Sequence, residues 1–119
     1  MAQEDVAETT TNMRKALNVQ AFTGKIHLLK LDGTLKAKVT LAETGVSVSG
    51  LKINFRSGSA AIEACAAFTD PEGIAECSPG TQFSPAFITD LVVAGYDAVF
   101  DGNAEFQSAK GHGSQTIVP

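Results

Sequence analysis

A chain of 119 residues that is 44% hydrophobic and 18% charged predicts one folded domain and excludes a disordered polypeptide. Its net charge of −4, with nine scattered Lys and Arg residues, predicts no nucleic-acid partner. A helix that spans a bilayer needs about 20 consecutive apolar residues, and no apolar run in this sequence is nearly that long. We therefore also predict no membrane insertion.

The N-terminal segment is poor in apolar side chains and contains three consecutive threonines. Such a segment buries too little surface to order itself, which predicts a flexible arm over residues 1–24. The arm either orders on a partner or is a plain disordered terminus. Its start lacks the basic and apolar regions of a secretory signal peptide. The candidate partner-binding residues are Val6, Met13, Arg14, Lys15 and Leu17.

The end of this segment fits two kinds of local structure. Met13, Leu17 and Ala21 share a helical spacing, whereas Leu17 and Val19 share the spacing of a strand. The sequence does not choose between a short helix and a first strand.

Strand patterns are clearer after residue 24. Residues 26–31 are followed by Asp32-Gly33, a favoured two-residue hairpin turn, and then by a strand over 34–42. The pair Leu28-Leu29 interrupts the alternation and indicates a bulge. A further half-buried strand covers residues 51–56 and stops at residues 57–59.

Residues 61–78 predict a β-hairpin that places two cysteines face to face. Cys65 and Cys77 are equally distant from Pro71, and Asp70-Pro71-Glu72-Gly73 has the composition of a tight turn. In such a hairpin Phe68 and Ile74 also meet. The cysteines form either a disulfide or two small buried thiols.

The last third predicts two further strands and no helix. Residues 79–85 are too rich in Pro and Gly for regular structure, and Phe83 and Phe87 are expected to cap the core. A strand is predicted over 91–100, a turn at 101–103, a flexible link over 110–113 and a final strand over 114–118. At least six short strands predict an all-β, antiparallel sandwich over residues 25–119.

Reactive side chains are scarce and scattered. His27 and His112 are the only histidines, and no serine has the surroundings of a nucleophile elbow. Two cysteines with eleven residues between them and two distant histidines match no compact zinc spacing. We therefore predict a non-enzymatic protein with no catalytic residue, no bound metal and no cofactor.

A group of oxygen-bearing side chains near residue 100 is the best of the weak metal candidates. Hard cations such as calcium prefer such ligands, but the later part of an EF-hand loop is missing. We favour a turn in which Asp and Asn side chains bond their own backbone. The residues concerned are Asp97, Asp101, Asn103 and Glu105.

The order of these segments resembles the bacterial Ig-like (Big-type) domains of bacterial surface proteins and phage virion proteins. One matching motif surrounds the cysteines and consists of Cys65, Thr69, Asp70, Gly73, Ala75 and Cys77. The other lies near the C-terminus and consists of Tyr96, Phe100, Asp101, Gly102, Asn103 and Phe106. The resemblance covers about residues 25–119 and implies an Ig-like sandwich in which the Tyr96 hydroxyl bonds the backbone.

The resemblance implies a structural or display function. Together with the N-terminal arm, it predicts a phage capsid decoration or other virion surface protein, docked through the arm. The expected partner is a major capsid or other virion protein, with a homo-oligomer or lattice as a further form of assembly. The alternative is a module of an exported bacterial surface protein or adhesin, located at the cell surface or secreted.

Overall fold

The computed structural model describes residues 14–27, 32–58, 63–78 and 85–118. Within these residues the chain forms strands and one helix, and the predicted all-β sandwich is confirmed. The strands are β1 (Leu17–Ala21), β2 (Gly24–His27), β3 (Asp32–Gly33), β4 (Leu35–Leu41), β5 (Lys52–Ser57), β6 (Glu63–Phe68), β7 (Ile74–Cys77), β8 (Tyr96–Phe100), β9 (Ala109–Gly113) and β10 (Gln115–Val118). Helix α1 (Pro85–Ala94) precedes β8.

Two antiparallel sheets share one core. The first has the strand order β1-β4-β7 and the second the order β6-β5-β8-β9. Their inner faces supply one continuous apolar cluster, as in other sandwiches. Its buried members from the strands are Leu17, Leu35, Ala37, Val39, Ala75, Ile53, Phe55, Tyr96, Ala98 and Phe100.

The alternation of apolar and polar residues explains β4 and most of β5. In β4 the buried side chains of Leu35, Ala37 and Val39 alternate with half-buried ones, as a strand with one wet face requires. On the predicted polar face of β5, Lys52 is exposed, whereas Asn54 is buried and its amide donates to the Asp101 carboxylate at 3.4 Å.

A third, smaller sheet extends the sandwich at one end. Its order is β10-β2-β3, with β10 parallel to β2. The hairpin turn predicted at Asp32-Gly33 is wrong, because these residues form β3 and pair with His27 and Ile26. A turn-prone dipeptide is only a local preference, and strand pairing overrides it. The predicted bulge at residues 28–29 lies outside the described residues.

The cysteine segment is a corner between the two sheets and not a hairpin. β6 pairs with β5 in the second sheet, whereas β7 pairs with β4 in the first. The predicted turn is present, since Gly73 N donates to Asp70 O at 2.8 Å and the Asp70 carboxylate accepts from Ile74 N at 2.9 Å. Phe68 and Ile74 do not meet as predicted, because their strand partners are Lys52 and Lys38. Alternation alone cannot distinguish a hairpin from a chain that crosses between sheets.

The disulfide between Cys65 and Cys77 is present, with a Cα–Cα distance of 6.2 Å that lies within the usual range. It therefore joins the two sheets along one side of the sandwich, from β6 to β7.

Helix α1 corrects the prediction of a strand from residue 91, and it begins at Pro85, the last residue of the segment predicted to be irregular. The rest of that segment, residues 79–84, lies outside the described residues. Pro85 stands at the first helical position, and Gly95 follows the last one with a φ of 74°. Gly95 N closes the helix by donating to Leu91 O at 2.8 Å. The β-branched pair Val92-Val93 favours a strand locally, but burial of Leu91 in the core fixes the helix. The side chains of Phe83 and Phe87, predicted to cap the core, lie outside the described ones. In the described part of the chain, no helix is long and apolar enough to cross a membrane.

Two segments that were predicted to be flexible belong to the sheets. Residues 110–113 lie in β9, where Gly111 and Gly113 provide space for close neighbours and not flexibility. Residues 17–21 lie within the segment assigned to the N-terminal arm, yet they form β1 and pair with β4. Burial of Leu17 in the core explains this, because it supplies the apolar contact that the rest of the segment lacks. Of the two structures that the sequence allowed for this segment, residues 17–21 therefore form the strand and not the helix.

Replacing both cysteines by alanine should destabilise the sandwich. The bond closes a loop of 12 residues, for which chain entropy predicts about 3 kcal/mol of stabilisation. Denaturant unfolding of Cys65→Ala/Cys77→Ala should show this loss, and the wild type in reductant should match the variant. Equal unfolding midpoints for the oxidised wild type and the variant would contradict a stabilising role of the disulfide.

Candidate docking surface

The structure describes three of the five predicted partner-binding residues. Val6 and Met13 lie outside the described residues. Arg14 is half-buried and Lys15 is exposed, both ahead of β1. Leu17 is only 8% exposed and packs in the core, so its side chain cannot contact a partner. Of the described candidates, only Arg14 and Lys15 lie at the surface.

Backbone hydrogen bonds fix the place where the N-terminal chain joins the sandwich. Lys15 forms a parallel bridge with Phe106, in which Lys15 N donates to Glu105 O and Gln107 N donates to Lys15 O, both at 2.9 Å. The Gln107 side-chain amide also donates to Arg14 O at 2.9 Å. The ion pair between Lys15 and Glu105, at 4.0 Å and largely exposed, adds little to this attachment.

The loop that receives the N-terminal chain is ordered by its own asparagine. The Asn103 side-chain oxygen accepts from Glu105 N at 2.8 Å and from Phe106 N at 2.7 Å. This is the self-bonded turn that the sequence favours over a calcium site. Phe106 packs in the core and is 8% exposed. In the ranges the structure describes, no three acidic, His or Cys side chains cluster to hold a metal ion.

A cleft runs along the neighbouring edges of β1 and β9, and we refer to it as the β1/β9 cleft. A Cβ atom on Gly111 would lie 2.1 Å from Val19 O, so only glycine permits this approach of the two backbones. The cleft has a volume of about 570 Å³ and is lined by residues 16–21 of β1 and its approach, by residues 107–110 and by His112. A second pocket adjoins it at Ala16 and Gln107.

The loops at one end of the sandwich carry two exposed apolar side chains. We call this the arm end, because Lys15 joins Phe106 there. Phe68 is 66% exposed at the end of β6, and Val46 is 58% exposed in the loop after β4. At the opposite end α1 exposes Val92 and Val93, the latter by 80%. Exposed apolar groups beside a polar rim are typical of protein contacts.

A histidine and an aspartate, which sequence reasoning did not pair, meet on the outer face of the second sheet. Asp97 and His112 are directly opposite in β8 and β9, and His112 Nδ1 lies 2.8 Å from Asp97 Oδ1. Their fifteen-residue separation carries no signal until the register of the two strands is known. Within the described residues this pair has no serine or cysteine bonded to it that would form a nucleophilic triad.

The Tyr96 side chain connects the two sheets at the end opposite the arm end. Its hydroxyl donates to one of two backbone carbonyls, Lys36 O at 3.0 Å or Phe22 O, which both lie against it from the first sheet. The predicted bond from Tyr96 to the backbone is thus confirmed. Burial raises the pKa of Tyr96 above its usual 10.0, against the opposing effect of the two carbonyl contacts.

Replacing Tyr96 by phenylalanine should destabilise the fold by about 2 kcal/mol, because buried carbonyls lose their donor. The neutral hydroxyl contributes stability that is fully present below pH 10.0 and is lost as the pH rises through the higher folded pKa. The stability of the wild type should therefore fall more steeply above pH 10.0 than that of Tyr96→Phe, as followed by denaturant unfolding. Parallel pH curves for the two proteins would contradict the assignment.

No protein-family model, curated protein or solved structure is significantly similar to this chain.

Proposed function

We propose that this protein is a non-enzymatic structural or display protein, most simply a phage capsid decoration or other virion surface protein. It takes no cofactor, and it docks through its N-terminal segment. The observation that carries the proposal is the fixed attachment of Lys15 to Phe106 at the end of the sandwich that also exposes Phe68 and Val46.

The attachment supports docking because it fixes the chain directly ahead of β1 on the sandwich. Three hydrogen bonds from residues 14 and 15 to residues 105 and 107 hold the chain at the sandwich edge. A partner that holds residues 1–13 therefore holds the whole domain in a defined orientation. Phe68 and Val46 add apolar area at the same end, which is the kind of contact that anchors an interface.

The resemblance to Ig-like domains supports two settings, since such modules occur in virion proteins and on bacterial surfaces. In the first setting, a major capsid or other virion protein is the partner. In the second, the chain is a module of an exported surface protein or adhesin. The disulfide between Cys65 and Cys77 favours this second candidate specifically, because such bonds persist in oxidising compartments. A virion protein meets an oxidising medium once the host cell lyses.

The two settings are distinguished by sedimentation of the endogenous protein from native lysate, with an antibody to residues 25–119. The virion proposal expects migration with particles far larger than the 12.4 kDa chain. Deletion of residues 2–13 should abolish this migration, and the deletion leaves the attachment at Lys15 intact. As a control for folding, the deleted chain should retain the wild-type unfolding midpoint.

Migration only at the top of the gradient would overturn the virion proposal. Recovery with cell envelopes would overturn it as well, and would favour the exported surface module. Particle association that survives the deletion would show that another surface docks the domain.

A further inference from the structure

The outward edge of β6 is an unpaired strand edge of the second sheet. Within the described residues β6 is the last strand of that sheet and pairs only with β5. Thr69 N donates to Leu51 O at 2.9 Å, and in an antiparallel ladder only every second residue bonds the same neighbour. Ala66 and Phe68 therefore turn their N–H and C=O groups away from β5. Among the described residues these groups have no hydrogen-bond partner.

The disulfide does not occupy this edge. Cys65 lies opposite Phe55 on the inner face of β6, and from there it bonds to Cys77 of β7. β7 is therefore reached through the inner face of β6 and not along its outward edge. On the opposite face Ala66 and Phe68 are both exposed, the latter by 66%.

β6 has little of the protection that proteins give to open strand edges. Its sequence, EACAAF, contains no Lys, Arg or Pro, and its one charge is Glu63 at the first position. A bulge disturbs only its first residues, opposite Arg56. The edge strand β7 is shorter and has Glu76 in its interior. β1 and β9, the other edges of the two larger sheets, already lie against each other at Val19 and Gly111.

A second copy of β6 fits this edge because the strand is complementary to itself. When two copies run antiparallel about a twofold axis at Ala66, each Ala66 faces the other and exchanges two backbone hydrogen bonds with it. Phe68 of one copy then lies opposite Ala64 of the second copy, whose small side chain leaves space for the ring. Glu63 lies opposite Thr69 and not opposite a second carboxylate.

We propose that two copies of this chain pair through their β6 strands, antiparallel and centred on Ala66, so that their four-stranded sheets become continuous. The contact uses the same residues on both copies and closes at two copies. This inference goes beyond the proposed function and does not rest on it.

Pairing changes which groups remain for docking. It covers Phe68 and leaves Val46 and the N-terminal segment free at the arm end of each copy. Because the two β6 strands are antiparallel, the two arm ends point in opposite directions. One pair can therefore hold two docking partners.

Sedimentation velocity of the purified full-length chain, up to its highest soluble concentration, tests the proposal. The wild type should form a dimer. Ala66→Lys should require about tenfold more protein for the same degree of association, because two like charges then face each other at the axis. Ser108→Lys is the matched control, since it adds the same charge at an exposed position beside β9, at the opposite edge of the sheet, and should leave association unchanged. All variants should keep the wild-type unfolding midpoint.

A mixture of two variants tests the register. Ala66→Glu alone should associate as weakly as Ala66→Lys. An equimolar mixture of the two should recover the wild-type association as a mixed dimer, because position 66 of each copy faces the same position of the other.

Amide hydrogen exchange in the wild type reports the pairing directly. The amides of Ala66 and Phe68 should exchange rapidly in dilute protein and more slowly in the dimer, because only pairing gives them acceptors. The amide of Ala67 already faces β5 and should change little.

A wild type that stays monomeric at every concentration would overturn the proposal. Equal weakening by Ser108→Lys and Ala66→Lys, or no recovery in the mixture, would do the same. A dimer in which the amides of Ala66 and Phe68 exchange as fast as in the monomer would show that another surface pairs the copies, and would also overturn it.

The lysate experiment has a separate outcome. A purified chain that stays monomeric, while the endogenous protein migrates with particles through residues 2–13, would overturn the pairing alone. A dimer without particle migration would overturn the virion proposal alone.

Discussion

The close approach of β1 and β9 is the constraint on which the rest of the surface depends. It exists because Gly111 has no side chain where Val19 O lies. This contact closes one side of the sandwich without a continuous ladder of hydrogen bonds, and the disulfide from β6 to β7 closes the other. The β1/β9 cleft lies along this contact.

The two ends of the sandwich differ in how their loops are held and in which side chains they expose. Opposite the arm end, Tyr96 connects the sheets where their strands continue into β2, β3 and β10. At the arm end, the loops are held by local bonds such as those of Asn103, and Phe68 is left exposed. This division fits a display protein, because docking contacts can change at one end while the core stays intact.

Much of the strand content could be predicted from the sequence, because burial on one face leaves a period of two. The alternation around Val39 in β4 was predicted in this way, and the turn at Asp70 was predicted from its composition. The disulfide was one of two alternatives that the sequence left open for the cysteines. The pairing partner of each strand could not be predicted. A hydrophobic period of two residues shows which face of a strand is buried, but not which sheet covers that face. The corner at the disulfide was therefore predicted as a hairpin. Helix α1 was missed because Val92 and Val93 favour a strand, while its helical signals, Pro85 and Gly95, depend on their exact positions at its two ends.

The docking surface was only partly predictable for the same reason. The composition of the N-terminal segment pointed to Arg14 and Lys15, but Lys110 lines the β1/β9 cleft only through the tertiary packing of β9 beside β1. The central proposal is that the N-terminal segment docks the domain on a virion partner. Its most direct test is a photo-cross-linking group in place of Asp5, activated in native lysate. The account predicts an adduct between this chain and a major capsid or other virion protein. Adducts confined to cell-envelope proteins, or no adduct at all, would contradict it.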